Sequence, residues 1–154
     1  YHDAVLLVDK GIKTVSSTAG HNLMNNHPFG EKRFQIAQEN SDKLSTILKN
    51  GDTNEFVKLV ENEALMLHGL MMTSDPSYIL IKPNTLRIIE SIREFRFKND
   101  IPVCFTLDAG ANVHVLFPDK YSDKVYNFIE TKLKVYCENN SYIKDCVGFG
   151  AKQL

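Results

Sequence analysis

The order of secondary-structure signals in this 154-residue sequence predicts an α+β domain with the element order βαββαβ. A short apolar run opens the chain, and three consecutive segments with helical periodicity follow it. Two strand-like runs, a further helix and a last short strand come next. If the three helical segments form one elaborated crossover, the order matches the ferredoxin-like plan, with helices covering one face of an antiparallel sheet.

The first strand and the loop after it differ sharply in composition. Residues 4–8 are Ala-Val-Leu-Leu-Val, and this run of mostly branched apolar side chains predicts a buried strand that ends at Asp9-Lys10-Gly11. The stretch from Ser16 to Pro28 is instead rich in hydroxyl, amide and imidazole groups. Because it has too few apolar residues to pack as core, it is predicted to be a polar loop.

Three helical segments follow this loop. Apolar residues at helical spacing begin near Glu31 and stop at Asn50-Gly51, a sequence typical of a helix end. Asp52 stands three residues before Glu55, which resembles a capping box and predicts the start of a second helix. The sequence Pro83-Asn84-Thr85 predicts the start of the third helix, because proline is favoured in the first turn.

The second half of the sequence predicts a hairpin, a helix and a final strand. Val103–Leu107 and Val113–Phe117 are strand-like runs joined by five residues that include glycine, as in a β-hairpin. Apolar residues between Val125 and Tyr136 have helical spacing, and Tyr142–Val147 reads as a short strand. Since no repeat, low-complexity tract or linker divides the sequence, residues 1–154 are predicted to form one domain.

The composition of the chain argues against several classes of protein. The chain is 43% hydrophobic and 24% charged, so it can bury a core and is not of the disordered class. The 18 basic and 19 acidic side chains argue against a general nucleic-acid binder or a membrane-surface binder. No apolar run approaches the roughly 18–20 residues of a membrane span. Three cysteines without CxxC spacing predict reduced thiols, as in a cytoplasmic protein, rather than disulfides or a zinc site.

The first candidate for chemistry is the hydroxyl-rich segment Ser16-Ser17-Thr18, followed by Ala19-Gly20. Side-chain hydroxyls and backbone N–H groups in such a segment can bind a phosphate or diphosphate. A solvated loop or a helix cap has the same composition, so the pattern alone leaves both interpretations open. The GxxxxGK[ST] and GxGxxG patterns are missing, which excludes a Walker A loop and leaves a dinucleotide fold without support.

The second candidate is Asp108, at the tip of the predicted hairpin and followed by small residues. A carboxylate with little cover can act as a general base or orient a hydroxyl group. Alternatively, it is a turn residue that hydrogen-bonds its own backbone. A third candidate pair, Glu61 and His68, shares a helical face, but HExxH is missing and no metal site is predicted. His68 is therefore interpreted as a packed or capping residue.

The two polar motifs in this order, on this architecture, resemble the C-terminal half of diphosphomevalonate decarboxylases, which belong to the GHMP kinase superfamily. The resemblance runs from about Ala4 to about Lys120 and includes Ser74-Asp75-Pro76 and the segment around His68. It implies a ferredoxin-like C-terminal domain. It also implies the family's reaction, which makes isopentenyl diphosphate from mevalonate 5-diphosphate. In that reaction ATP phosphorylates the 3-hydroxyl, and loss of this phosphate is coupled to loss of CO2.

The resemblance also implies roles for particular residues. The family's catalytic aspartate lies in its DAG-x-N motif and therefore corresponds to Asp108, which would orient or deprotonate the 3-hydroxyl for attack on the γ-phosphate of ATP. The family's Ser-Ser-Thr segment lies near the substrate diphosphate and corresponds to Ser16, Ser17 and Thr18. ATP and Mg²⁺ are the implied cofactors of the full-length enzyme, and a homodimer is its implied assembly.

Two departures from the family pattern point to a divergent branch. His21 follows Gly20 where many relatives have methionine, and Ala111 replaces the proline of the DAG-x-N motif. Neither change removes a group with a direct chemical role. They leave room for a related phosphomevalonate substrate.

The family's nucleotide loop and its substrate-binding lysine and arginine lie in an N-terminal domain, and this sequence has no such loop. Together with a start at Tyr1 that lacks an initiator Met, a signal peptide or a transit segment, this predicts a C-terminal half that is inactive without its own N-terminal domain. Two alternatives stay open. One is another GHMP enzyme, such as a mevalonate or phosphomevalonate kinase or decarboxylase. The other is a stand-alone regulatory module in which the Ser/Thr loop binds an anion and Asp108 is only a turn residue.

Overall fold

The structure is a computed structural model that describes residues 1–11 and 27–150. Its strands and α-helices, in chain order, are β1 (His2–Leu6), α1 (Gly30–Asn50), α2 (Thr53–Met72), α3 (Pro83–Asn99), β2 (Cys104–Leu107), β3 (Val113–Phe117), α4 (Ser122–Phe128) and β4 (Tyr142–Cys146). Short 3₁₀ and π-helical turns flank α4 and lead into β4. Among the described residues, no helix has both the length and the apolar character that crossing a bilayer requires.

The four strands form one antiparallel sheet in the order β2-β3-β1-β4. Strand β1 lies between β3 and β4, and Ala4 is paired with Val115 on one side and Lys144 on the other. Strand β2 pairs with β3, with Phe105 opposite Val115. With α1, α2 and α3 between β1 and β2, this is the α+β arrangement with an elaborated first crossover that the sequence predicts.

Helices α3 and α4 cover one face of the sheet. Along β3 the buried Val113, Val115 and Phe117 alternate with the half-buried His114 and Leu116, because successive side chains point to opposite faces. The main core joins the buried sheet face to α3, α4 and the turns after α4, and it includes Leu6, Phe105, Ile88, Ile92, Val125, Ile129 and Leu133. The sheet face that carries His114 is therefore the less covered one, and polar groups lie on it.

The turn between α1 and α2 confirms the predicted caps. Gly51 has a left-handed backbone, with φ at 66°, and ends α1. The Asp52 carboxylate accepts a hydrogen bond of 3.0 Å from the backbone N–H of Glu55 and so starts α2. Glu63 of α2 forms an ion pair of 2.7 Å with Arg33 of α1. These contacts fix α1 and α2 as a helical hairpin.

Two boundaries differ from the sequence prediction. The first strand covers His2–Leu6 rather than residues 4–8, because pairing with β3 and β4 includes the polar residues before the apolar run, and the N–H of Val8 turns back to Leu6. The predicted fourth helix is α-helical only as far as Phe128 and continues as π-helical and 3₁₀ turns to Tyr136. The three cysteines are free thiols, as predicted.

Candidate active site

Asp108 directly follows β2, so the hairpin that connects β2 to β3 begins with this residue at one end of the sheet. Its side chain is 76% exposed. The residues after it, Ala109 to Asn112, are small apart from the last one. The carboxylate is therefore accessible to a ligand, which agrees with the predicted position of Asp108 at a hairpin tip.

The backbone of Asp108 is held by His68 of α2. The Nε2 atom of His68 donates to the backbone oxygen of Asp108 at 2.9 Å, and the N–H of Gly110 donates to the same oxygen at 2.7 Å. His68 is only 2% exposed, and this burial lowers the pKa of its imidazole. The ring therefore favours its neutral form, with the proton on Nε2. His68 is packed, as predicted, and it also anchors the candidate catalytic residue.

His114 of β3 connects two carboxylates on the side of the sheet opposite to Val113 and Val115. Its Nδ1 atom lies 2.9 and 3.1 Å from the two carboxylate oxygens of Asp3 in β1. Its Nε2 atom lies 3.6 Å from Oδ2 of Asp108. Asp3, His114 and Asp108 thus form a line of polar groups, which we call the Asp3–His114–Asp108 row.

Two further contacts hold the residues after Asp108. The buried hydroxyl of Thr85, in the first turn of α3, donates to the backbone oxygen of Ala111 at 2.6 Å. The side-chain oxygen of Asn112 accepts from the backbone N–H of Asp9 at 3.0 Å. The hairpin loop is therefore tied to α3 and to the segment that follows β1, so the position of Asp108 is fixed from several sides.

A cavity of about 240 Å³ lies beside this loop. Gly110 and Asn112 line one side, and Lys10 and Gly11 also line it. Lys82 lines the cavity as well, and its Nζ atom lies 3.5 Å from a carboxylate oxygen of Asp9. The cavity thus has two lysines in its wall, and the chain segment that leads toward residues 16–18 starts at this wall.

The other predicted candidates have different positions. Ser16, Ser17, Thr18 and His21 lie outside the described residues, so their proposed grouping with Asp108 stays a prediction. Glu61 is buried and bound by Arg96 at 2.6 and 3.1 Å, which is a structural ion pair. Among residues 1–11 and 27–150, no three His, Cys, Asp or Glu side chains are grouped as a metal site.

Asp3 and His114 were not among the residues predicted from the sequence. They are 111 residues apart in sequence, and only the strand register brings them together. One signal was available: in the run Val-His-Val-Leu-Phe, period-two alternation puts the histidine on the face opposite to the apolar core. A polar residue at that position, six residues after Asp108, is a candidate neighbour of the hairpin tip.

The antiparallel sheet with the order β2-β3-β1-β4 and the helices of its first crossover define the class of protein, a ferredoxin-like α+β domain with an elaborated first crossover. A family model described as the mevalonate 5-diphosphate decarboxylase C-terminal domain matches residues 4–150. The chain belongs to this family.

Two curated relatives are decarboxylases of phosphorylated mevalonates. The chain is 29% identical over 84 residues to the phosphomevalonate decarboxylase of Haloferax volcanii, an alignment that covers 54% of this chain and 26% of that protein. It is 28% identical over 85 residues to the mevalonate 3,5-bisphosphate decarboxylase of Thermoplasma acidophilum, covering 55% and 20%. The matched region is therefore about a quarter or less of each relative.

Solved structures show the same fold. The mevalonate diphosphate decarboxylase of Legionella pneumophila is 27% identical with a TM-score of 0.80, and the match covers 88% of this chain and 43% of that one. A structure of MDDEF in complex with MVAPP, AMPPCP and magnesium has 23% identity and a TM-score of 0.81, covering 93% and 42%. The chain spans less than half of each.

Proposed function

We propose that this chain is the C-terminal domain of an ATP-dependent decarboxylase that converts mevalonate 5-diphosphate into isopentenyl diphosphate, CO2, ADP and phosphate. The decarboxylase class follows from the family. The observation that carries the finer proposal is the geometry of Asp108, whose carboxylate is exposed while its backbone is fixed by the buried His68. A catalytic carboxylate needs this combination of access and fixed position.

Asp108 would orient or deprotonate the 3-hydroxyl of the substrate, so that the hydroxyl oxygen attacks the γ-phosphate of ATP in line. Ser16, Ser17 and Thr18 would donate hydrogen bonds to the diphosphate, which offers only acceptors. The cavity beside the hairpin supports this grouping, because Lys10 and Gly11 line it and the serine-containing segment follows them in the chain.

The nucleotide would be bound mainly by an N-terminal domain of the complete enzyme. This part of the proposal is supported by the relatives, of which the chain spans less than half. The AMPPCP and magnesium bound to MDDEF support ATP and Mg²⁺ as cofactors. Because no three His, Cys, Asp or Glu side chains are grouped among the described residues, the groups that would hold Mg²⁺ are proposed to be nucleotide phosphates and side chains of that N-terminal domain, where the ion would neutralise charge on the transferred phosphoryl group. The cytoplasmic location and the homodimer stay predictions of the sequence.

A second substrate assignment has specific support. By their names, the two curated relatives act on phosphomevalonate and on mevalonate 3,5-bisphosphate. These compounds share the mevalonate skeleton and differ in the number and position of their phosphates. The Ala111 and His21 departures from the family pattern agree with a divergent substrate site. A phosphomevalonate decarboxylase is therefore the second candidate.

The test is ATP-dependent CO2 release by the full-length protein, assayed with mevalonate 5-diphosphate, its monophosphate and mevalonate 3,5-bisphosphate. Turnover is expected with one of them, the diphosphate first. Asp108→Asn should lower kcat by at least about 100-fold, since it removes the base. Asp42→Asn, at an exposed position of α1, is the matched control and should leave kcat unchanged. Full activity of Asp108→Asn would remove the catalytic assignment, and turnover by residues 1–154 alone would remove the two-domain proposal.

A further inference from the structure

We propose that His114 is a positioning residue for the reaction: it takes up the proton that Asp108 removes from the substrate hydroxyl, and Asp3 holds its ring for this purpose. The inference rests on the proposed role of Asp108. It comes from the Asp3–His114–Asp108 row, in which one imidazole bridges a carboxylate of β1 and a carboxylate of the loop after β2.

The contact with Asp3 fixes which nitrogen of His114 carries a proton. The Nδ1 atom lies 2.9 and 3.1 Å from the two oxygens of the Asp3 carboxylate. An ionised carboxylate only accepts hydrogen bonds, so Nδ1 must be the donor. In the neutral ring the Nε2 atom is then a free base. This is the tautomer that a carboxylate imposes on the histidine of a catalytic triad.

The free base of His114 faces Asp108. Its Nε2 atom is 3.6 Å from Oδ2 of Asp108, which is too long for a direct hydrogen bond but within the range of an ion pair. A neutral Nε2 and an ionised carboxylate both offer lone pairs, so their approach is favourable only when a proton is added to one of them. The row can therefore accept the proton that the substrate releases.

Among the described residues, the strand partners of His114 bring no cation next to its ring. Its partners across the strands are Val5 in β1 and Thr106 in β2, and both are uncharged. The titratable groups near the ring are Asp3 from β1, Asp108 after β2 and His68 from α2, which bonds the backbone of Asp108. The side chain of His114 is 21% exposed, and that of Asp108 is 76% exposed.

The proton of the substrate hydroxyl moves in two steps. The O–H bond of the substrate hydroxyl breaks as its oxygen forms a bond to the γ-phosphorus, and ADP leaves with the electron pair of the broken P–O bond. The proton passes to Oδ2 of Asp108 and from there to Nε2 of His114. Asp108 returns to its ionised form, and His114 becomes an imidazolium between two carboxylates. It returns the proton to solvent before the next turnover.

Two substitutions at His114 separate proton uptake from hydrogen bonding. The amide of His114→Asn ends near the position of Nδ1 and can keep the contact with Asp3, whereas that of His114→Gln ends near Nε2 and can donate a hydrogen bond to Asp108. Neither amide accepts a proton. In the full-length protein, both variants should lower kcat by about 100-fold with KM nearly unchanged.

The matched control is His2→Asn. His2 also pairs with an aspartate, Asp119 at 2.7 Å, but its β1 position puts it on the other face of the sheet from Asp3. It should keep the wild-type kcat and pH profile. Thermal unfolding of each variant checks that the fold is retained. If His114→Asn keeps full activity, the inference is wrong. If His114→Gln alone restores kcat, His114 orients Asp108 but takes up no proton, which also contradicts the inference.

A second readout does not depend on activity. Nitrogen-15 NMR of the imidazole in the wild-type protein should show the Nδ1-protonated tautomer of His114, and the Nε2-protonated tautomer would overturn the inference. If the proposed function itself is wrong, the Asp108→Asn variant will be active. This result distinguishes that failure from a failure of the inference about His114. Loss of activity in Asp108→Asn with full activity in both His114 variants would overturn only the inference about His114.

Discussion

The Nε2 atom of His68 lies 2.9 Å from the backbone oxygen of Asp108, and this hydrogen bond joins α2 to the end of β2 across 40 residues of sequence. The donor is buried, whereas the carboxylate of the residue that it holds is exposed. The position of the candidate base is thus set by a side chain that no substrate needs to touch. Helix α2 of the elaborated crossover is therefore a structural part of the candidate active site.

Replacing His68 should separate this anchoring role from simple packing. His68→Leu fills the space but removes the donor, so we expect a loss of about 1 kcal/mol in the free energy of unfolding. The loss stays small because Gly110 still donates to the Asp108 oxygen. His68→Gln can keep a donor near the position of Nε2 and should retain most of the stability. Urea unfolding of the two variants measures the difference, and equal stabilities would show that the hydrogen bond contributes nothing.

The same residue predicts a dependence of stability on pH. Burial lowers the pKa of His68 in the folded state below its unfolded value near 6.5. Below pH about 6.5 the unfolded chain therefore binds a proton that the folded chain does not, and the free energy of unfolding falls by up to about 1.4 kcal/mol per pH unit. The fall ends at the lowered pKa of the folded state. Urea titrations between pH 5 and 8 should show this loss in the wild type and a weaker one in His68→Gln.

The element boundaries were predictable where they depend on local chemistry. Gly51 and Asp52 mark the end of α1 and the start of α2, because a left-handed glycine and a capping carboxylate act within one turn. The start of β1 was not predictable, since His2 and Asp3 belong to the strand only through pairing with β3 and β4. Tertiary pairing overrides composition at such a position.

The candidate site also has a part that was predictable from the sequence and a part that was not. Asp108 was predictable because a sequence motif and a hairpin tip coincide at that residue. The contacts that hold it were not, because His68, Thr85 and His114 come from three other elements and meet only in the folded chain. Glu61 shares a helical face with His68 in the sequence, yet its partner is an arginine of α3 that no spacing rule connects to it.

The buried ion pair between Glu61 and Arg96 should be important for the docking of α2 on α3. Glu61 is 6% exposed, and Arg96 also donates to the backbone oxygen of Val103 at 2.7 Å, just before β2. Arg96→Met leaves a buried carboxylate poorly compensated, and we expect a loss of about 3 kcal/mol in the free energy of unfolding. Arg93→Met is the control, because Arg93 is about half exposed and approaches Glu61 only at 3.4 Å.

We expect Arg93→Met to cost less than about 1 kcal/mol, as for an exposed pair. Thermal or urea unfolding of both variants gives the comparison. Similar losses in the two would mean that the charge of Glu61 is neutralised equally by both arginines, contrary to the difference in burial.

The hydroxyl of Thr85 should contribute both to stability and to the position of the loop that begins with Asp108. It donates to the Ala111 oxygen at 2.6 Å and accepts from the N–H of Lys82 at 3.1 Å, so it joins the start of α3 to the loop that begins with Asp108. Thr85→Val keeps the shape of the side chain but leaves both backbone groups without this partner, so it should cost about 1–3 kcal/mol of stability. Thr85→Ser keeps the hydroxyl and should lose only about 0.8 kcal/mol for the missing methyl group.

The two Thr85 variants should also differ in catalysis. If the loop position sets the orientation of Asp108, Thr85→Val in the full-length protein lowers kcat, while Thr85→Ser does not, because a small displacement of a catalytic group is costly. The measurement is kcat under conditions in which both variants are fully folded by circular dichroism. Equal kcat values for the two would show that the contacts of Asp108 with His68 and His114 fix the carboxylate without help from α3.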